Sequence, residues 1–127
     1  MKYFKMSEFA CRDGCPMPAS ARENIEALVE AVLDPAREKF GKPIYVNSGY
    51  RCPRHNAAVG GVPNSQHMRG EAADVSAGSA QASREVGKII EQLGKFDQLI
   101  YYPTFVHVSW KRIGQNRNQI IYKQFKA

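Results

Sequence analysis

Apolar positions along the chain fall into two rhythms. In "PASARENIEALVEAVLDPAREKFG", residues 18–41, Ile25, Leu28, Val29, Val32, Leu33 and Phe40 recur at helical spacing. Ser20 followed by Glu23 reads as a capping box at its start, and Gly41 suits its end. Pro35 is expected to break or kink the second half. The apolar stripe of this helix reads as core. A second helix is predicted over "SAQASREVGKIIEQLG", opened by Ser79 or Ser83 and closed by Gly94. "CPRHNAAVGG" predicts a short one, with Pro53 in its first turn and Gly60 and Gly61 at its end.

The other rhythm has period two. "IYVNSGYR" alternates Ile44, Val46 and Ser48 against Tyr45 and Asn47, as a strand does. "AADVS" reads as a short buried strand, and "FDQLIYY", "FVHVSW" and "NQIIYKQF" as three more. Helices flanking a mostly antiparallel sheet make the expected fold α+β. The pieces interleave, repeats and low-complexity stretches are absent, and residues 1–127 are expected to form a single domain.

Composition sharpens this only a little. With 127 residues, 43% hydrophobic and 24% charged, the chain has one ordinary globular domain's worth of material. No apolar run approaches the roughly 20 residues that a membrane span needs. The start, "MKYFKMSEFACRDGC", lacks a continuous apolar stretch, so no secretory signal is expected. The chain is expected to be made in the cytoplasm and to meet any target outside the membrane after lysis or by another export route. A net charge of +6 favours polyanions, among them nucleic acid, anionic membrane and acidic cell-wall polymer. The charges are scattered, with no run of five or six, so no specific nucleic-acid partner is expected.

Cys11, Cys15 and Cys52 leave three states open: one disulfide and a free thiol, three free thiols, or three ligands of a metal site. A reducing cytosol favours free thiols. The C-x3-C spacing of Cys11 and Cys15 lies within the range of zinc sites, but the sequence names no fourth ligand.

Three histidines are present: His55, His67 and His107. In "AADVS", Asp74 shares a strand face with Ala72 and Ser76, while Ala73 and Val75 point the other way. In "FVHVSW", His107 shares a face with Phe105 and Ser109, opposite Val106 and Val108. Each strand thus carries one potential ligand among core-building residues. His67 comes from the turn-rich segment ahead of the first strand, where Gly70 lets the backbone turn sharply. Two imidazoles, one carboxylate and a water form a catalytic zinc site. An aspartate among apolar neighbours costs several kcal/mol unpaired, and a coordinated cation removes that cost.

"SGYRCPRHNAAVGGVPNSQHMRGEAADV", followed by "FDQLIYYPTFVHVSW", resembles peptidase M15, the zinc D-Ala-D-Ala carboxypeptidase and L,D-endopeptidase family. It is closest to the small single-domain members. The family's S-x-H-x-x-G-x-A-x-D element is met at Ser65, His67, Gly70, Ala72 and Asp74, and its late hydrophobic-x-H-x-S element at His107 and Ser109. "SGYR", ending in Arg51, stands in its expected place before the first histidine. The resemblance covers about residues 20–110. It implies a hedgehog/D-Ala-D-Ala-peptidase-like fold and one Zn2+ per chain held by His67, Asp74 and His107. Arg51 would recognise a carboxylate or carbonyl of a peptidoglycan stem peptide, a task suited to a planar guanidinium. Ser65, Gln66 and Tyr102 are candidate substrate-binding residues; Ser65 and Gln66 would hydrogen-bond substrate or His67, and read equally as plain turn residues.

One family feature is missing. The acidic general base expected three residues before the last histidine is replaced by Thr104, and the preceding strand ends in Tyr101, Tyr102 and Pro103. A well-placed base contributes roughly 10²- to 10⁴-fold. Glu71 lies at an odd interval from Asp74, so strand parity turns it away. Asp97 is the weak remaining candidate, with anchoring the structure as its competing role. A phenol with pKa near 10 makes a poor base, and His55 is expected to be exposed on its short helix. Two functions are therefore in play: a zinc peptidase cutting bacterial-wall peptides, as in an endolysin, and a zinc-containing module that binds such peptides without turnover.

Overall fold

The computed structural model describes residues 1–123. The end of the last predicted strand, Gln124 and Phe125, lies outside the described residues.

The long N-terminal helix forms as α1 (Ala19–Leu28), a π-type turn (Val29–Leu33) and α2 (Asp34–Phe40). Pro18 is its N-cap, with no side-chain cap, so Ser20 sits inside the first turn and the expected capping box does not form. Pro35 does not break the helix. It lacks an N–H and its ring would crowd the carbonyl one turn earlier. The widened turn just before it, where the Asp34 N–H reaches back to the Val29 carbonyl, absorbs that conflict. Gly41, at φ 75°, ends α2. The strand and helix assignments that follow agree with the sequence periodicity: β1 (Tyr45–Ser48), α3 (Pro53–Ala58), β2 (Ala72–Ser76), α4 (Ala80–Leu93), β3 (Gln98–Tyr101), β4 (Val106–Ser109) and β5 (Gln119–Tyr122). Of the two serines proposed to open α4, Ser79 is the cap; its hydroxyl accepts from the Ala82 N–H at 3.0 Å. The segment before α1 carries a 3-10 turn, Met6–Phe9, and adds Phe4 and Phe9 to the core.

The strands form one sheet in the order β1-β2-β4-β3-β5. Pairing is antiparallel except between β3 and β5. This is the expected α+β architecture. Period-two alternation gives the sheet two unlike faces. Ala73, Val75, Leu99, Val106 and Val108 are fully or almost fully buried in one core with Ile25, Leu28, Val86 and Ile90 of the helices. Asp74, Ile100 and His107 occupy the opposite face and border a cleft.

A 3-10 turn, Gln66–Arg69, enters this cleft and is closed by Gly70 at φ 73°. A Cβ on Gly70 would run into the Ala21 carbonyl of α1. Gly70 thus lets the turn lie directly on the helix, with the Asn24 amide donating to the Arg69 carbonyl at 2.8 Å beside it. Gly60 has the same φ, 73°, but open space where its Cβ would be. In chemical denaturation, Gly60→Ala is expected to cost about 1 kcal/mol, the left-handed penalty alone. Gly70→Ala should cost more than about 2 kcal/mol because overlap with α1 is added. Equal losses would show that contact with α1 does not constrain the turn.

Candidate metal centre

Four chain segments bring Arg51, His67, Asp74 and His107 together in the cleft. His67 sits on the Gln66–Arg69 turn, whose N-cap Ser65 accepts the His67 backbone N–H at 3.2 Å. The His67 carbonyl accepts from the Arg51 N–H at 3.0 Å, which ties this turn to the segment after β1. Asp74 lies in the middle of β2, and His107 stands directly opposite it in β4. Cross-strand partners share a face, so the two strands aim both side chains at the same space. His67 is 2% exposed and its ring lies 5.1 Å from that of His107.

One carboxylate organises these groups. Asp74 Oδ1 lies 2.8 Å from His107 Nδ1 and 3.2 Å from His67 Nε2. Its Oδ2 accepts from Arg51 Nη2 at 3.2 Å. Burial pushes the Asp74 carboxyl upward, but the hydrogen bonds and charges of His107 and His67 outweigh this and hold it well below the usual carboxylate range.

His67 Nδ1 lies 2.8 Å from the Gly49 carbonyl. A carbonyl only accepts, so Nδ1 carries the proton, and a neutral ring then presents its Nε2 lone pair to the Asp74 oxygen. Two acceptors face each other at 3.2 Å, an arrangement that calls for a proton or a cation between them. Donor atoms of His67, Asp74 and His107 lie within 4.8 Å of one another. Tetrahedral zinc with N and O ligands at about 2.0–2.2 Å sets neighbouring donors about 3.3 Å apart, close to the spacings here. The donor set and the imposed tautomer both fit zinc.

Arg51 is a largely buried ion-pair partner of Asp74. Only 15% of its side chain is exposed, and its Nε donates to Ser48 Oγ at 3.0 Å while Nη1 reaches Asn56 Oδ1 at 3.4 Å. It borders a cleft of about 760 Å³ together with Arg69, Lys111, Arg117 and Lys123. Among the described residues lining the cleft, Asp74 is the one carboxylate. Tyr102 lies there too, its ring stacked on Phe105 at 4.6 Å. Burial, then the Asp74 charge, push its phenol up against a weaker pull from Arg51, so it is a donor and no base. Tyr101 points to α4 instead, donating to Glu91 at 2.8 Å.

The remaining candidates separate by their contacts. Ser65 is buried and serves the turn. Gln66 lines the cleft while its amide donates to Asp97 at 3.1 Å and lies 3.5 Å from Glu71. Asp97 is fully buried and already occupied: Arg117 donates through its backbone N–H, Nε and Nη2 at 2.8–3.1 Å. Burial raises its carboxyl, but these Arg117 bonds and charge, with Gln66, hold it down to about 2. A base must take a proton near the working pH, so this geometry argues against Asp97 in that role and for the anchoring one. His55 is half-buried on α3, outside the cleft lining. Sequence reasoning missed Gly49, whose carbonyl sets the His67 tautomer, and Asn56, which holds Arg51. The only signal for either was their place flanking Arg51.

The peptidase M15 family profile matches residues 2–109, and the chain belongs to that family. It is also 48% identical over 77 residues to the zinc D-Ala-D-Ala carboxypeptidase of Streptomyces albus G. That match covers 54% of this chain and 29% of the relative, so the chain spans less than a third of that protein's length.

The Asp97 pocket yields a pH dependence. A folded-state carboxyl near 2, against about 3.9 unfolded, gives stability that is present above the unfolded value and lost as pH falls through the folded one. Asp97→Asn is expected to lose roughly 2 kcal/mol at neutral pH and to flatten the stability profile between about pH 4 and pH 2. An unchanged acid limb in urea melts would remove Asp97 as the structural anchor.

Proposed function

We propose that this chain is a zinc-dependent peptidase acting on peptidoglycan stem peptides, folded as a single domain over residues 1–127. The observation that carries the reading is the His67–Asp74–His107 cluster, in which the Gly49 carbonyl turns the His67 Nε2 lone pair toward an acidic oxygen. Family membership and the zinc carboxypeptidase relative support it. His67, Asp74 and His107 hold one Zn2+. When bound, the ion supplies Lewis acidity, activating a water and polarising the scissile carbonyl.

The chain's own residues do the rest. The Gly49 carbonyl holds the His67 ring and Ser65 caps its backbone N–H, so the site keeps its shape without reorganising. Arg51 lies at the boundary between metal centre and cleft, where its guanidinium can take a peptide carboxylate while keeping its contact with Asp74. Tyr102, protonated, donates a hydrogen bond to the peptide. Five cationic side chains on the cleft wall match substrates with several carboxylates. Action on the cell wall follows from that substrate.

A second reading rests on one specific observation, that Asp74 is the single carboxylate among the described cleft residues. A site without a separate base binds wall peptides through the same groups but does not turn them over.

Purified protein is expected to hold about one zinc at this centre, lost on His67→Ala or His107→Ala; retention of the ion by both variants would end the ligand assignment. Arg51→Ala is expected to raise KM, or peptide Kd, roughly 10- to 100-fold with the His-site zinc unchanged. Unchanged kinetics would take Arg51 out of the site. Muropeptide digestion followed by mass spectrometry distinguishes the two readings. Shortened or split stem peptides support the peptidase; binding without product on several wall types supports the module.

A further inference from the structure

A second cluster of metal-binding side chains lies away from the histidines. Cys11, Cys15 and Cys52 place their sulfurs within 4.8 Å of one another. Cys15 and Cys52 are joined as a disulfide, whereas Cys11 is a buried free thiol with its Sγ 3.8 Å from Cys52 Sγ. The three come from two segments that are far apart in sequence. Cys11 and Cys15 flank a tight turn in which the Gly14 N–H donates to the Cys11 carbonyl at 3.0 Å. Cys52 is the N-cap of α3, next in sequence to Arg51.

Three features exceed what one disulfide requires. First, the third sulfur converges on the pair from a buried position. Second, the Cys11–Cys52 sulfur separation equals the edge of a tetrahedral zinc–thiolate site, about 3.8 Å for Zn–S bonds near 2.3 Å. Third, a cation attends the cluster: Arg54 Nη2 donates to Cys15 Sγ at 3.4 Å, while its Nε is held by Asp13 at 2.8 Å. Three thiolates around Zn2+ carry a net charge of −1, which an adjacent guanidinium offsets, and N–H···S bonds are typical outer-shell support for such sulfurs.

We propose that Cys11, Cys15 and Cys52 form a second, structural zinc site when the Cys15–Cys52 bond is reduced. A dithiol reductant supplies the two electrons and two protons that open the disulfide and is itself oxidised to a cyclic disulfide. The three thiols then release three protons as Zn2+ binds, and water completes the fourth position. The ion clamps the N-terminal segment, which carries Phe4 and Phe9, to the start of α3 beside Arg51. In an oxidising compartment the disulfide joins the same two segments, leaving Cys11 as a thiol. The same anchor is thereby maintained in either redox environment.

Cobalt(II) alone, titrated into the full-length chain, tests this with a readout blind to the histidine centre. Dithiol-reduced, desalted protein is expected to develop an intense near-ultraviolet thiolate-to-cobalt band that saturates at about one ion per chain. Oxidised protein should lack the band. Cys11→Ser and Cys15→Ser should each abolish or strongly weaken it, with folding checked by circular dichroism, whereas the double variant His67→Ala/His107→Ala should retain it. Absence of the band in reduced, folded wild-type protein overturns the proposal, as does its survival at full strength in Cys11→Ser. Neither result bears on the histidine centre, whose metal is counted separately in the Cys11→Ser protein.

Discussion

The structure turns on one buried carboxylate, that of Asp74, which is only 9% exposed. Asp74 must be surrounded by groups that favour its ionised form, and the fold brings three of them: His67, His107 and Arg51. Breaking such a cluster by removing one partner costs far more than the cluster contributes overall, because the remaining charge is left stranded. That asymmetry fixes the geometry of β2, β4 and the turn that carries His67. The same oxygen that needs partners in the metal-free fold is the oxygen best placed to grip a cation.

Rigidity around that carboxylate comes from backbone groups as much as side chains. Gly49 contributes a carbonyl to His67, and a Cβ there would overlap the backbone of Phe9. The N-terminal segment is therefore not an appendage. It packs against the residue that sets the histidine tautomer, and the cysteine cluster holds it close to the Arg51 segment. Asp97 supports the opposite wall, binding Arg117 and the Gln66 amide so that the turn next to His67 is held on both flanks. Such backbone and side-chain support suits a cluster whose members come from separate strands and a loop.

Much of this was legible beforehand. Period-two spacing placed Asp74 and His107 on strand faces opposite their valine neighbours, and the register confirms that those faces coincide. Helical spacing located the core stripe of α1 and α2. The capping box failed because Ser20–Glu23 is a local pattern, and the chain enters the helix one residue after Pro18, before that pattern can act. A proline inside a helix is expected to break or kink it because it removes a hydrogen bond; at Pro35 a widened turn takes up the conflict and the helix runs on. The cysteine pairing was unreadable, since spacing along the chain says nothing of where Cys52 lies relative to the turn at Gly14.

Sequence by itself determined which residues of the strands and helices face the core, because side-chain alternation is a local property of the backbone. It also determined that His67, Asp74 and His107 belong together, through their resemblance to a known pattern. Only the tertiary structure decided which atom of each ring meets the carboxylate, that Arg51 leans on Asp74, and that Asp97 is already engaged. These depend on distances between separate segments, such as the 23 positions from Arg51 to Asp74 and the 33 from Asp74 to His107. Packing sets such distances, and no local rule encodes them.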